Sequence, residues 1–226
     1  MHHGSADSVP NKNRAMFGGY APSVEGFEPI QDIAQELLSQ GKIVPMIMVG
    51  PAIPGWVSAA PDGIWGYYFY QEIVPFIKSK YRVARERTHW GSYGISKGGN
   101  DGPALVFKRP EMFSLVGIGA GATWFDHAEA LANYTVGAAP LEFWLWHAED
   151  DNIVSFATSE LFEQMLIEQR LDYTFVAIPG GEHDDCIRPP AFRAALEWFS
   201  DRFQAAGVAV APVGKLTTSW AAVKAR

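Results

Sequence analysis

Three groups of residues in this chain have the types and the order needed to do chemistry together. They are a serine between glycines in Gly94-Ile95-Ser96-Lys97-Gly98, a carboxylate cluster Glu149-Asp150-Asp151, and a histidine in Pro179-Gly180-Gly181-Glu182-His183. A serine hydroxyl is a poor nucleophile at neutral pH and needs an adjacent base, which is in turn oriented by a carboxylate. The order Ser, acid, His therefore predicts covalent acyl transfer: Ser96 attacks a carbonyl, His183 takes its proton, and the acid fixes the imidazole tautomer. Asp151 is the preferred acid, because Asn152-Ile153-Val154 leads into a helix whose start would hold the loop. Asp150 stays open as the alternative, while Glu149 reads as readily as a solvated turn charge.

The pentapeptide alone is weak in a chain with 22 glycines. It demands a strand before the serine, a helix after it, and glycines where side chains would strike the neighbouring strand and helix. His89 to Ile95 reads as strand and Gly99 to Lys108 as helix, so the context is present. The backbone N–H of Lys97, at the helix start, is then aimed at a developing oxyanion and gains from the helix dipole; the Lys97 side chain is expected in solvent. His89, His127 and His147 read as structural histidines. A metal reading of Glu182, His183, Asp184, Asp185 and Cys186 is disfavoured, since consecutive residues rarely converge on one ion and no helical pair of histidines four apart is present. No metal or organic cofactor is implied.

These groups need a scaffold. Ile30, Ile33, Ala34, Leu37 and Leu38 recur at helical spacing between Phe27 and Gln40, with Gly41 as a stop. Ile43 to Val49 reads as a buried strand, Tyr68 to Tyr81 as a helix kinked or broken at Pro75, and Thr88 to Ile95 as the strand entering the serine turn. Phe113 to Ile118, Leu141 to His147 and Tyr173 to Ile178 read as further strands. Trp124 to Asn133, Thr158 to Arg170 and Pro190 to Ala206 read as helices. Alternation of this kind predicts an α/β fold with a mainly parallel sheet covered on both faces. The stretch 207–226 is small-residue-rich and is left unassigned.

The length of 226 residues suits one sizeable domain, over 1–206. A net charge of -7 without a basic run argues against a nucleic-acid partner and for a small neutral or modestly charged substrate. Cys186 is the single cysteine, so no disulfide forms within the chain and pairing cannot indicate the compartment. No apolar run reaches the roughly 18 residues of a membrane helix, and the first residues lack a signal-peptide pattern, so a soluble chain is expected. Tyr20, Trp56, Trp65 and Trp124 are candidates to line an aromatic acyl pocket, although core packing is the ordinary role of each.

From its first residues to about Phe203 the chain resembles the α/β-hydrolase family that contains feruloyl and acetyl xylan esterases, S-formylglutathione hydrolases, enterochelin esterases and mycolyltransferases. The segments that carry the resemblance are His3-Gly4-Ser5, "QEIVPFIKSKYRV", "GISKGGNDGPALVFKRPEMFSLVGIGAG", "WHAEDDNIV" and "PGGEHD". It implies an α/β-hydrolase domain and supports Ser96, Asp151 and His183 as the triad, with Lys97 as one oxyanion donor. It also implies a second donor at Ser5, with Gly4 as a neighbouring possibility. The implied substrate is a small-molecule or carbohydrate-linked ester, with hydroxycinnamoyl or acetyl groups in view. Water or an alcohol is the acyl acceptor, giving an esterase or an acyltransferase; a non-catalytic binding protein of this fold is the alternative from another class. Two departures stand out. Lys97 replaces the commoner Met or Leu, and only Met1 and His2 precede a turn that ends a central strand in the family. That strand is expected to be missing from the sequence or replaced by other residues.

Overall fold

The computed structural model describes residues 28–51, 64–121 and 140–207. Among them four strands form one parallel sheet in the order β1 (Gly91–Ile95), β2 (Leu115–Gly119), β3 (Glu142–Ala148), β4 (Asp172–Ile178). Strand residues point alternately to opposite faces, and here both faces are apolar. Phe143 and Leu145 of β3 pack with Val116 and Ile118 of β2 on one side, while Trp144 packs with Tyr93, Ile95 and Leu115 on the other. A sheet buried on both faces is what parallel strands joined by helical crossovers produce.

Helices α1 (Ile30–Ser39) and α6 (Pro189–Ala205) cover the face of Tyr93 and Trp144. The other face is covered by α2 (Ile64–Tyr68), α4 (Lys97–Lys108) and α5 (Ala157–Glu168). The expected spacing holds in α1, where Ile30, Ile33, Ala34 and Leu37 are buried; Leu38 is on the exposed side. The Lys42 N–H donates to the Leu37 carbonyl and the Gly41 N–H to that of Leu38, with Gly41 at φ 68°, a glycine stop of the Schellman type.

Two expectations change. Ile43 to Val49 forms no strand: Pro45 has no N–H for a ladder, the Val44 N–H donates to Ser200 Oγ at 2.9 Å, and Ile43 is buried in the core while the partly buried Met46 and Met48 pack against it. Pro75 does not break its helix. A π turn at Phe69–Ile73 connects α2 to α3 (Val74–Lys80), and Pro75 sits at the second position of α3. There a widened turn relieves the clash that a proline ring makes with the preceding carbonyl. The other strands and helices lie within a few residues of where the periodicity puts them. Trp124 to Asn133 and 208–226 lie outside the described residues. No helix among the described residues is long and apolar enough to cross a membrane.

Candidate active site

Because the strands are parallel, the residues that follow them emerge at one edge of the sheet, where open α/β folds bind ligands. Ser96 follows β1, Ala120 and Gly121 follow β2, Asp151 follows β3 and His183 follows β4. Backbone hydrogen bonds tie these ends together. The Ser96 N–H donates to the Gly119 carbonyl at 2.8 Å, Ala120 to Trp146 at 2.8 Å, Glu149 to Ile178 at 3.0 Å and Asp150 to Gly181 at 3.0 Å.

Ser96 is buried and has φ 55° and ψ -123°, a conformation that L residues avoid. It is the turn between β1 and α4, and such strain persists only where surrounding structure enforces it, at a cost of about 1 to 3 kcal/mol. Glycine makes the turn possible. A Cβ on Gly94 would stand 2.0 Å from the Gly98 carbonyl oxygen, and one on Gly99 would stand 2.9 Å from Gly121 Cα. The first helical N–H groups after Ser96 have no acceptor within the helix, so the Lys97 amide is available to an oxyanion.

The Lys97 side chain departs from expectation. It is buried, not solvated, and forms an ion pair with Asp101 one helical turn on, itself 1% exposed. A buried ammonium is retained only where a counter-charge meets it. The Lys97 to Asp101 spacing of four residues on a helix was the available sequence signal.

Of the three neighbouring carboxylates, the fold brings Asp151 to His183. Its Oδ2 lies 2.6 Å from His183 Nδ1, and its Oδ1 accepts the backbone N–H groups of Ile153 at 2.8 Å and Val154 at 2.7 Å. Burial pushes the Asp151 carboxyl up, but the Val154 N–H, the His183 ring and the Ile153 N–H together hold it below the ordinary carboxylate range. Asp151 is therefore an anion pointed at one ring nitrogen of His183, leaving Nε2 for a proton on substrate or serine. Ser96 shares the sheet edge with this pair and, among the described residues, makes no hydrogen bond to it.

A second histidine meets the same carboxylate. His147, the sixth residue of β3, is fully buried; its Nε2 lies 3.1 Å from Asp151 Oδ2 and 3.1 Å from the Val154 carbonyl, and its Nδ1 lies 2.7 Å from Ser159 Oγ. Burial holds it below the ordinary imidazole value despite the neighbouring Asp151. It was expected to be a satisfied structural histidine. Its position four residues before Asp151, at the end of a strand, was the one hint of more.

The other residues of the His183 loop are engaged locally. Glu182 and Asp185 cap each other's backbone across the turn at His183–Ile187, and Asp185 pairs with Arg188. Burial pushes the Cys186 thiol up to about 12, so it stays protonated. Trp65, a candidate for the acyl pocket, is 2% exposed and packs against Tyr68 and Phe69 in the core. Ser5, Tyr20, Trp56 and Trp124 lie outside the described residues.

No family model matches the sequence. Solved structures do resemble it. A ferulic acid esterase superposes with a TM-score of 0.71 at 18% identity, over 89% of this chain and 83% of that one. The chain adopts the α/β-hydrolase fold. A feruloyl esterase module from Clostridium thermocellum, solved as a mutant complexed with sinapinate, gives 0.66 at 18% identity over 88% and 75% of the two chains. A CE1 ferulic acid esterase from Anaeromyces mucronatus, in complex with ferulic acid, gives 0.61 at 14% over 87% and 76%. Within this fold, Ser96 stands at the strand-to-helix turn between β1 and α4.

Proposed function

We propose that the chain is a serine carboxylic-ester hydrolase with Ser96 as nucleophile, His183 as general base and Asp151 as its orienting acid. The observation that carries this reading is the 2.6 Å hydrogen bond between Asp151 and His183, at the same sheet edge as a serine held in a strained elbow. Chain order, local geometry and charge state agree with that assignment. Asp151 accepts a hydrogen bond from the Nδ1–H of His183, so Nε2 carries the lone pair that removes the Ser96 proton. Oγ attacks the ester carbonyl, and the Lys97 amide donates to the oxyanion of the tetrahedral intermediate, with Ser5 as the opposite donor. The proton on Nε2 passes to the departing alkoxide; water, activated by the same nitrogen, then releases the acid and regenerates Ser96.

The substrate class in this proposal is a hydroxycinnamoyl or acetyl ester of a carbohydrate. Two of the similar structures hold sinapinate and ferulic acid, and the net charge of -7 suits a substrate that is not strongly anionic. Tyr20, Trp56 and Trp124 remain the proposed acyl-pocket residues; Trp65, 2% exposed, is withdrawn from that set.

The test compares the native protein with Ser96→Ala on p-nitrophenyl acetate and methyl ferulate, alongside labelling by a fluorophosphonate. Loss of turnover by several orders of magnitude together with loss of labelling is expected. Ester turnover that survives Ser96→Ala ends the assignment. Preference for p-nitrophenyl acetate over methyl ferulate removes the hydroxycinnamoyl part alone.

A further inference from the structure

Asp151 has four hydrogen-bond donors around its two oxygens, and one of them is unexplained by a Ser-His-Asp relay. Oδ1 is filled by the Ile153 and Val154 N–H groups; Oδ2 receives His183 at 2.6 Å and also His147 at 3.1 Å. Both partners of His147 Nε2, the Asp151 carboxylate and the Val154 carbonyl, are acceptors, so this nitrogen carries the proton. The remaining nitrogen, Nδ1, then accepts from the Ser159 hydroxyl on α5. His147 is thus a neutral donor locked in one tautomer, and it competes with His183 for the same oxygen.

We propose that His147, oriented by Ser159, is a positioning residue that withdraws charge from Asp151 Oδ2 and so sets the basicity of His183 during turnover. The proposal rests on the esterase reading above. A carboxylate that shares its negative charge with a second donor supports the imidazolium less strongly than one pointing at His183 alone, so loss of the His147 donor strengthens that support. Hydrogen-bonded chains of this kind tune one another because the interior screens them poorly.

Among the described residues, the other titratable groups around the pair are Glu149 and Asp150 before Asp151, and Glu182, Asp184, Asp185 and Cys186 in the turn that carries His183. Glu182 and Asp185 are held by their mutual capping, Asp185 by Arg188, and Cys186 is a neutral thiol.

The experiment is the pH profile of kcat/KM with p-nitrophenyl acetate for His147→Gln and His147→Asn, with thermal unfolding of each. The Gln amide reaches as far as the Nε2 position and can donate to Asp151; the Asn amide reaches only the Nδ1 position and can pair with Ser159 alone. The acidic limb is expected to stay within error of the native protein in His147→Gln and to move to higher pH by about half a unit or more in His147→Asn. If His147→Asn does not fold, His147→Phe or His147→Leu supplies the same loss of donor. Equal limbs in the folded Gln and donor-less variants overturn the proposal and leave a purely structural histidine. That outcome is distinct from failure of the esterase reading, in which Ser96→Ala retains activity.

Discussion

The Asp150 N–H donates to the Gly181 carbonyl at 3.0 Å, a bond between the loop that carries Asp151 and the loop that carries His183. Because of it Asp151 and His183 are set relative to each other by backbone as well as by their own 2.6 Å contact. The neighbouring glycines allow the approach. Gly180 adopts φ 64°, and a Cβ on Gly181 would lie 3.0 Å from Ile178 Cγ2, 3.1 Å from Asp185 Oδ2 and 3.2 Å from Ala148 Cβ.

Gly181→Ala should therefore displace the His183 loop without unfolding the chain. Misplacement of a catalytic group by about 1 Å costs up to roughly 100-fold in rate, so a fall in kcat of about 10-fold to 100-fold is expected, with KM much less affected. Steady-state kinetics with circular dichroism checks it; native kcat in the variant means that this loop packing does not position the base.

At the elbow the tolerance is smaller. The Cβ of Gly94→Ala would have to move the Gly98 carbonyl, a backbone atom of the first turn of α4, from a contact of 2.0 Å. Overpacking against rigid backbone is expected to destabilise the fold by about 3 kcal/mol or more, read as a lowered denaturant midpoint or failure to accumulate folded protein. A variant with native stability would show that the turn has room the geometry denies.

Acid should destabilise the protein in two stages. Above about pH 6.5 His147 is neutral both folded and unfolded. Below that, the unfolded chain takes up a proton that burial denies the folded one, so stability falls with pH until the folded value is passed. Asp151 adds the second stage. Its folded carboxyl is held low, so its stabilisation is fully present above about pH 3.9 and is lost as pH falls through the folded value. Denaturant titrations from about pH 8 to about pH 4 should show the first decline in the native protein and a shallower one in His147→Gln, which has no ring to protonate. Identical slopes would contradict the assignment of that stage to His147.

The Lys97 and Asp101 pair should behave as a unit. Removing one member of a buried ion pair takes that counter-charge from the other, and costs of about 3 to 5 kcal/mol are typical, whereas an apolar replacement of both is often nearly neutral. Lys97→Met and Asp101→Leu should each lower stability, and the double variant should recover at least about 1 kcal/mol of the summed loss. Additive losses in a double-mutant cycle would mean that the two side chains are stabilised independently.

The sequence by itself determined the layered α/β arrangement, because strand and helix periodicities are local properties of apolar spacing. Ile30, Ile33, Ala34 and Leu37 mark α1, and Phe143 with Leu145 and Trp144 marks a strand buried on both faces. The serine turn was legible for the same reason: Gly94, Ser96 and Gly98 satisfy a requirement that acts within five residues. Tertiary structure alone decided what depends on which surfaces meet. It turned Ile43 to Val49 into an irregular segment, since Pro45 cannot enter a ladder and Ser200 takes the Val44 N–H. It buried Lys97, because Asp101 meets its charge. It brought Asp151 to His183 although Asp150 is adjacent in sequence, because the Ile153 and Val154 N–H groups turn the Asp151 carboxylate inward while the Asp150 backbone is tied to Gly181. The same packing of α5 on β3 set Ser159 against His147 and His147 against Asp151. Hydrogen bonds between residues distant in sequence, formed where water is excluded, made that last choice.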